Sequence, residues 1–92
     1  MAWAVDADVD VVIAETLRYH GEAELALQSI KAATLPAAVM LVVDADEQTR
    51  DGLPIAEACQ RLEQAGADVV GMNCSRGPKT MLPLLARLRG AV

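Results

Sequence analysis

Apolar and polar residues follow two different patterns along this chain. Three short runs are almost continuously apolar, as in strands buried on both faces of a parallel sheet; they cover residues 11–14, 37–43 and 68–72. After each run, apolar residues recur every three to four positions, which is the spacing of one helical face. These helical segments cover residues 22–33, 54–65 and 78–89. The pattern therefore predicts strand and helix in alternation, three times over.

Proline and glycine residues mark the ends of these segments. Pro54 and Pro78 each suit the first turn of a helix, where a proline gives up no hydrogen bond. Gly66 suits the left-handed position just past the end of the second helix. Asp51-Gly52 indicates a turn in the most polar stretch of the chain. These residues support the predicted boundaries.

Alternating strands and helices place the chain in the α/β class, as three consecutive parallel βα units. Such units can form a small open sheet, or they can be part of a (β/α)8 TIM barrel. In either case the loops after the strands meet at one end of the sheet, and these cover residues 15–21, 44–53 and 73–77. Three strands also leave two sheet edges, and an exposed edge favours self-association with another chain.

Composition narrows the class of protein. The 92 residues suit one small domain spanning 1–92, and the net charge of −5 argues against a nucleic-acid partner. No apolar run approaches the ~18 residues of a membrane span, so no membrane partner is expected. The two cysteines, Cys59 and Cys74, show neither CxxC spacing nor the density of a disulfide scaffold. We therefore expect a cytoplasmic protein.

Polar residues at the strand ends are the candidates for chemistry. Cys74 lies at the carboxyl end of the third strand, where α/β proteins place their functional groups. The alternative interpretation is a small thiol buried in the core. Glu15 follows the first strand and is either functional or a solvated acid. Cys59 lies on a helical apolar face and is predicted to pack, and His20 is predicted to make a local polar contact. The acids of residues 44–47 lack a calcium-loop pattern and are interpreted as a solvated loop.

Four segments together carry a resemblance to a known family. They are Ile13-Ala14-Glu15-Thr16, Glu22-Ala23-Glu24-Leu25-Ala26-Leu27, Asp51-Gly52-Leu53-Pro54 and Gly71-Met72-Asn73-Cys74-Ser75-Arg76-Gly77-Pro78. Each is weak alone, but in this order and spacing the chain resembles the homocysteine S-methyltransferase family. The resemblance implies a partial homocysteine-binding domain, covering about the fourth to sixth units of a TIM barrel.

The same resemblance implies roles for three residues. Cys74 falls on one of three thiolates that hold a zinc ion, and zinc binding lowers the pKa of the homocysteine thiol. Glu15 falls on the acid that contacts the amino-acid group of homocysteine, where a carboxylate suits an ammonium. The resemblance implies that Asn73 contacts either the substrate or the residues that bind it. The implied reaction transfers a methyl group from a methyl donor to homocysteine and gives methionine.

The chain also departs from the family pattern. The two adjacent cysteines that complete the zinc site have no counterpart in these 92 residues, nor does the glycine-rich segment after the first strand. The end of the second strand lacks the usual Ser/Thr residues. We therefore expect zinc only in the complete domain, and no methyl transfer by a lone copy of the chain.

Two other functions remain open. The chain could be a non-catalytic α/β fragment or module that self-associates through its open sheet edges. It could also be a piece of another βα barrel, such as a phosphate-binding one. The lack of a glycine-rich phosphate loop after the three strands counts against that last interpretation.

Overall fold

The computed structural model describes residues 1–74 and 77–92, which form three βα units preceded by a short helix. The short helix α1 covers Ala2–Asp6. In chain order, the other elements are β1 Val12–Leu17, α2 His20–Ala32, β2 Ala37–Leu41, α3 Ile55–Gln64, β3 Val69–Met72 and α4 Pro78–Ala91. The predicted alternation of strands and helices is thus confirmed, and α1 was not predicted.

The strands form one parallel sheet in the order β1-β2-β3. Val12 pairs with Ala37 on one side of β2, and Val39 pairs with Val70 on the other. The α/β class and the parallel open sheet are confirmed. β2 is the central strand, and its residues are nearly all buried, which explains its continuous apolar sequence.

All three long helices contribute to one hydrophobic core on one face of the sheet. Alternate residues of β2 (Ala37, Val39 and Leu41) lie in this core, as the two-residue period of a strand requires. The helix residues in the core are Ala23, Leu27, Ile30, Ile55, Ala58, Cys59, Leu62, Leu84 and Leu88. Sequential strands with helices on one face are what right-handed crossovers in a single direction produce.

The opposite face carries the alternate strand residues. Met40 of β2 lies beside Gly71 of β3, and a Cβ built on Gly71 would come within 3.1 Å of the Met40 sulfur. Gly71 therefore makes room for Met40. At the two sheet edges, Ile13 is 58% exposed and Val69 is 51% exposed.

Several predicted boundaries were wrong by a few residues. β1 continues to Leu17, so Glu15 and Thr16 belong to the strand and not to the loop after it. β2 ends at Leu41, earlier than its apolar run, because Val42 and Val43 lie in the following loop. α4 continues through Gly90, since one glycine near a helix end costs only about 1 kcal/mol.

α2 begins at His20, two residues before the predicted start. The reason is a carboxylate from elsewhere in the chain: Asp51 accepts hydrogen bonds from the backbone N–H groups of His20 and Gly21, at 2.8 and 2.9 Å. Helix N-termini need such acceptors. A cap supplied from a distant loop leaves no local sequence signal.

Among the described residues, no helix has both the length and the apolar character needed to cross a membrane.

Candidate functional site

Polar side chains from β1 and from the end of β3 meet at the carboxyl edge of the sheet, although β2 separates these two strands. The Asn73 amide nitrogen donates hydrogen bonds to Glu15 Oε2 at 2.8 Å and to Thr16 Oγ1 at 2.9 Å. Asn73 Oδ1 accepts a hydrogen bond from the Thr16 backbone N–H at 3.0 Å. The structure thus brings together Glu15 and Asn73, two residues singled out from the sequence.

A local irregularity of β1 makes this arrangement possible. The pairing register between β1 and β2 shifts between Ala14 and Leu17, and Thr16 has a φ of 59°. A β-branched residue rarely adopts this left-handed conformation. Such bulges re-aim side chains near functional sites. Here the irregularity turns the Thr16 N–H away from the strand ladder and toward Asn73.

One oxygen of the Glu15 carboxylate is held by hydrogen bonds, whereas the other accepts none from the described residues. Oε2 accepts hydrogen bonds from the Asn73 amide and, at 3.1 Å, from the Thr16 hydroxyl. Within residues 1–74 and 77–92, no hydrogen-bond donor contacts Oε1. Glu15 is exposed. Its free oxygen can therefore accept a hydrogen bond from a cationic ligand.

Cys74 lies directly beside this network. Its sulfur is 3.5 Å from the Asn73 amide nitrogen, and the residue has a φ of 61°. Cys74 is exposed, so its interpretation as a buried structural thiol is wrong. An exposed thiol next to an amide donor is available as a ligand or a nucleophile.

Cys59 is a contrasting case. It is fully buried in the core, and its predicted packing role is confirmed. Burial, with a smaller effect from the nearby Glu63 carboxylate, raises the pKa of the Cys59 thiol to about 12. Cys59 therefore stays protonated and unreactive at neutral pH.

The residues described do not form a zinc site by themselves. In this part of the chain, no three His, Cys, Asp or Glu side chains come close enough together to hold a metal ion. A zinc ion needs about four ligands, and Cys74 offers one. Cys74 as a zinc ligand thus stays a prediction about a complete domain.

The acidic loop after β2 is engaged in local contacts. Asp44 lies 3.4 Å from Arg18 and 3.6 Å from Arg50, Asp46 accepts a hydrogen bond from a backbone N–H two residues on, and Glu47 pairs with Arg87.

His20 lies close to a local polar group, as predicted: its Nε2 is 3.5 Å from the Glu24 carboxylate, one helical turn along α2. The imidazole is buried, and within the described residues its Nε2 makes no hydrogen bond. Two clefts lie elsewhere: one of about 280 Å³ between the β2–α3 loop and α4, and one of about 470 Å³ between β3 and α4. Neither cleft is lined by Glu15, Asn73 or Cys74. The polar strand ends are therefore the better candidate site.

The roles of two residues were not predicted from the sequence. Thr16 was noted only as a neighbour of Glu15, and its role depends on a backbone conformation that no pattern reveals. Asp51 was taken as a turn residue, yet its carboxylate caps α2.

The fold and the strand-end cluster define an α/β protein with a polar site at the carboxyl edge of its sheet. The sequence model of the homocysteine S-methyltransferase family matches residues 1–92. The chain therefore belongs to the homocysteine S-methyltransferase family, as its motifs suggested.

Three relatives show how far the similarity extends. Betaine–homocysteine S-methyltransferase 1 of Danio rerio is 38% identical over 88 residues, covering 96% of this chain and 22% of the relative. An S-methylmethionine–homocysteine S-methyltransferase of Pongo abelii is 34% identical over 82 residues, covering 89% of this chain and 22% of the relative. Betaine–homocysteine S-methyltransferase 1 of Mus musculus is 36% identical over 75 residues, covering 82% of this chain and 18% of the relative. The chain spans about a fifth of the length of these relatives.

Proposed function

We propose that this chain is the part of a homocysteine S-methyltransferase that binds the amino group of homocysteine. The observation that carries the proposal is the exposed Glu15 carboxylate, held by Thr16 and Asn73 next to the Cys74 thiol. Family membership supports homocysteine as the substrate, because homocysteine is named in the description of the family.

The chemistry of homocysteine matches this cluster. Its α-ammonium group needs a charged acceptor, and Oε1 of Glu15 supplies one. Its sulfur lies at the other end of a short carbon chain and must reach a position from which it can attack the methyl group of the donor. Cys74, which is one residue from Asn73, marks the sulfur side of the site. Asn73 is then a residue that organises the site.

The reaction we propose is methyl transfer. The homocysteine thiol loses its proton to water, a bond forms between its sulfur and the methyl carbon, and the bond from that carbon to the donor breaks. The donor leaves with the electron pair of the broken bond. The relatives' names support betaine or S-methylmethionine as donor classes. Zinc dependence and the position of Cys74 in a zinc site are proposals for the complete domain.

We also propose that residues 1–92 form part of a (β/α)8 barrel. Sequential parallel strands with α2, α3 and α4 on one face support this, since a barrel places its helices outside. The cluster then lies at the carboxyl ends of barrel strands, where such enzymes place their active sites.

The test is a titration of the purified chain with homocysteine by calorimetry under reducing conditions. Glu15→Gln removes the charge that faces the ammonium and is expected to weaken binding about tenfold. Glu22→Gln, an exposed acid in the first turn of α2, is the matched control and should leave the affinity unchanged. Equal affinities of the wild type and Glu15→Gln would contradict the proposal.

A further inference from the structure

The amide of Asn73 joins two strands that are not neighbours in the sheet. We infer that Asn73 and Thr16 are positioning residues: they hold Oε2 of Glu15 and so direct Oε1 toward the ammonium group of the substrate. This inference rests on the proposed function for its substrate, and it goes further by assigning a role to Thr16 and a different role to Asn73.

The orientation of the Asn73 amide follows from its partners. A backbone N–H can only donate, so the atom of Asn73 that faces the Thr16 N–H must be the acceptor Oδ1. The amide nitrogen therefore faces Glu15 Oε2 at 2.8 Å and Thr16 Oγ1 at 2.9 Å. One contact thus determines which groups of Asn73 face the carboxylate.

Thr16 closes the network with its hydroxyl. The hydroxyl oxygen accepts a hydrogen bond from Asn73, so its own proton is free to point at Glu15 Oε2, 3.1 Å away. Oε2 consequently receives two donors, one from each positioning residue. No donor from the part of the chain that the structure describes reaches the second oxygen, Oε1, and we assign this oxygen to the ligand.

A restrained carboxylate binds a ligand better than a mobile one. An exposed glutamate samples many rotamers, and binding must select one of them at a cost in entropy. Hydrogen bonds from Asn73 and Thr16 make that selection before the ligand arrives. Because Glu15 and Thr16 are exposed, the network contributes little to the core, and its main effect falls on the site.

The signature of positioning is selectivity between two ligands. Homocysteine carries the ammonium group, and 4-mercaptobutanoate is the same molecule without it. A residue that acts through Glu15 affects the first ligand only, whereas a residue needed for the general structure affects both. Both affinities are measured by calorimetry on the chain of residues 1–92.

We expect Asn73→Ala to lower the affinity for homocysteine about tenfold and to leave that for 4-mercaptobutanoate within about twofold. Asn73→Asp, which keeps the Oδ1 acceptor but loses the donor, should behave likewise. Thr16→Val, which loses the hydroxyl, should lower the homocysteine affinity. Thr16→Ser, which keeps the hydroxyl, should retain the wild-type affinity. In a Glu15→Gln background, Asn73→Ala should have no further effect, since the carboxylate it positions is gone.

Equal losses for both ligands in Asn73→Ala, or an undiminished loss in the Glu15→Gln background, would overturn the inference. If the wild-type chain shows no preference for homocysteine over 4-mercaptobutanoate, the proposed function fails instead. The two failures are therefore distinguishable.

Hydrogen exchange tests the network without any ligand. Asn73→Ala removes the acceptor of the Thr16 N–H, so exchange of that N–H should rise at least about tenfold. Asn73→Asp should keep it slow. The Val42 N–H, which donates to the Leu17 carbonyl, reports on the sheet and should not change. An unchanged Thr16 exchange rate in Asn73→Ala would refute the network.

Discussion

Asp51 shows how a single carboxylate stabilises the start of a helix from a distant loop. It accepts hydrogen bonds from the N–H groups of His20 and Gly21, and the positive end of the α2 dipole favours its charge. Desolvation acts to raise the pKa of Asp51, but hydrogen bonds from the Thr49 hydroxyl and from the Gly21 and His20 N–H groups outweigh it. The resulting pKa is about 2.

We predict that Asp51→Ala lowers the free energy of unfolding by about 1 kcal/mol at neutral pH, as expected for the loss of a cap. Because the folded-state pKa lies below the ordinary value of 3.8, the stabilisation is complete above pH 4 and is lost as the pH falls toward about 2. Urea denaturation of both proteins from pH 7 to pH 2 measures it. The difference between them should shrink only in the acid range.

Asp10→Ala provides the control for that experiment, because Asp10 is an exposed loop acid without such a cap role. Its stability should follow that of the wild type at every pH. A constant difference between Asp51→Ala and the wild type down to pH 2 would contradict the account of the cap.

The sequence identified part of the site at the scale of residues. Glu15, Asn73 and Cys74 could be found because they sit at strand ends within a recognisable order of motifs. The roles of Thr16 and Asp51 could not be found. One depends on a left-handed backbone at Thr16, and the other joins residues 30 or 31 positions apart.

At the scale of elements, two glycines differ in whether their backbone conformation requires glycine. Gly66 follows α3 with a φ of 109°, a conformation that side chains rarely adopt. Gly90 lies inside α4, and a Cβ there would meet nothing within 4 Å. The two positions therefore form a matched pair.

Gly66→Ala is predicted to lower the free energy of unfolding by about 1 kcal/mol, because alanine is strained at positive φ. Gly90→Ala should raise it by up to about 1 kcal/mol, because alanine favours the helix. Thermal and urea denaturation of the two variants measure both effects. Changes of the same sign would contradict this assignment of the glycines.

Element types were predictable for a physical reason, and element ends were not. Continuous apolar runs come from strands buried on both faces, and the 3.6-residue period comes from helices buried on one face. The sequence encodes both patterns directly. Ends depend on contacts with other segments, such as the Asp51 cap on α2 and the irregular pairing of β1 near Thr16. α1 was missed because its five residues are too few to show a period.

At the scale of the whole molecule, the sheet is covered by its long helices on one face and has two free edges in the part of the chain described. Ile13 and Val69 are exposed on the edge strands β1 and β3. These features agree both with a piece of a larger barrel and with self-association, and self-association stays a prediction. The family and the position of the site favour the barrel.

The most direct test places this chain in a complete enzyme. Residues 1–92 would replace the matching segment of Danio rerio betaine–homocysteine S-methyltransferase 1, to which the chain is 38% identical. Methyl transfer from betaine to homocysteine is then measured, with circular dichroism to confirm folding. Cys74→Ser and Cys59→Ala variants of the chimera test the exposed and the buried thiol.

We predict an active chimera that loses most of its activity in Cys74→Ser and keeps it in Cys59→Ala. The reason is that Cys74 lies exposed beside Glu15 and Asn73, whereas Cys59 only packs in the core. A folded chimera without methyl transfer, or a Cys74→Ser variant as active as its parent, would contradict the central claim.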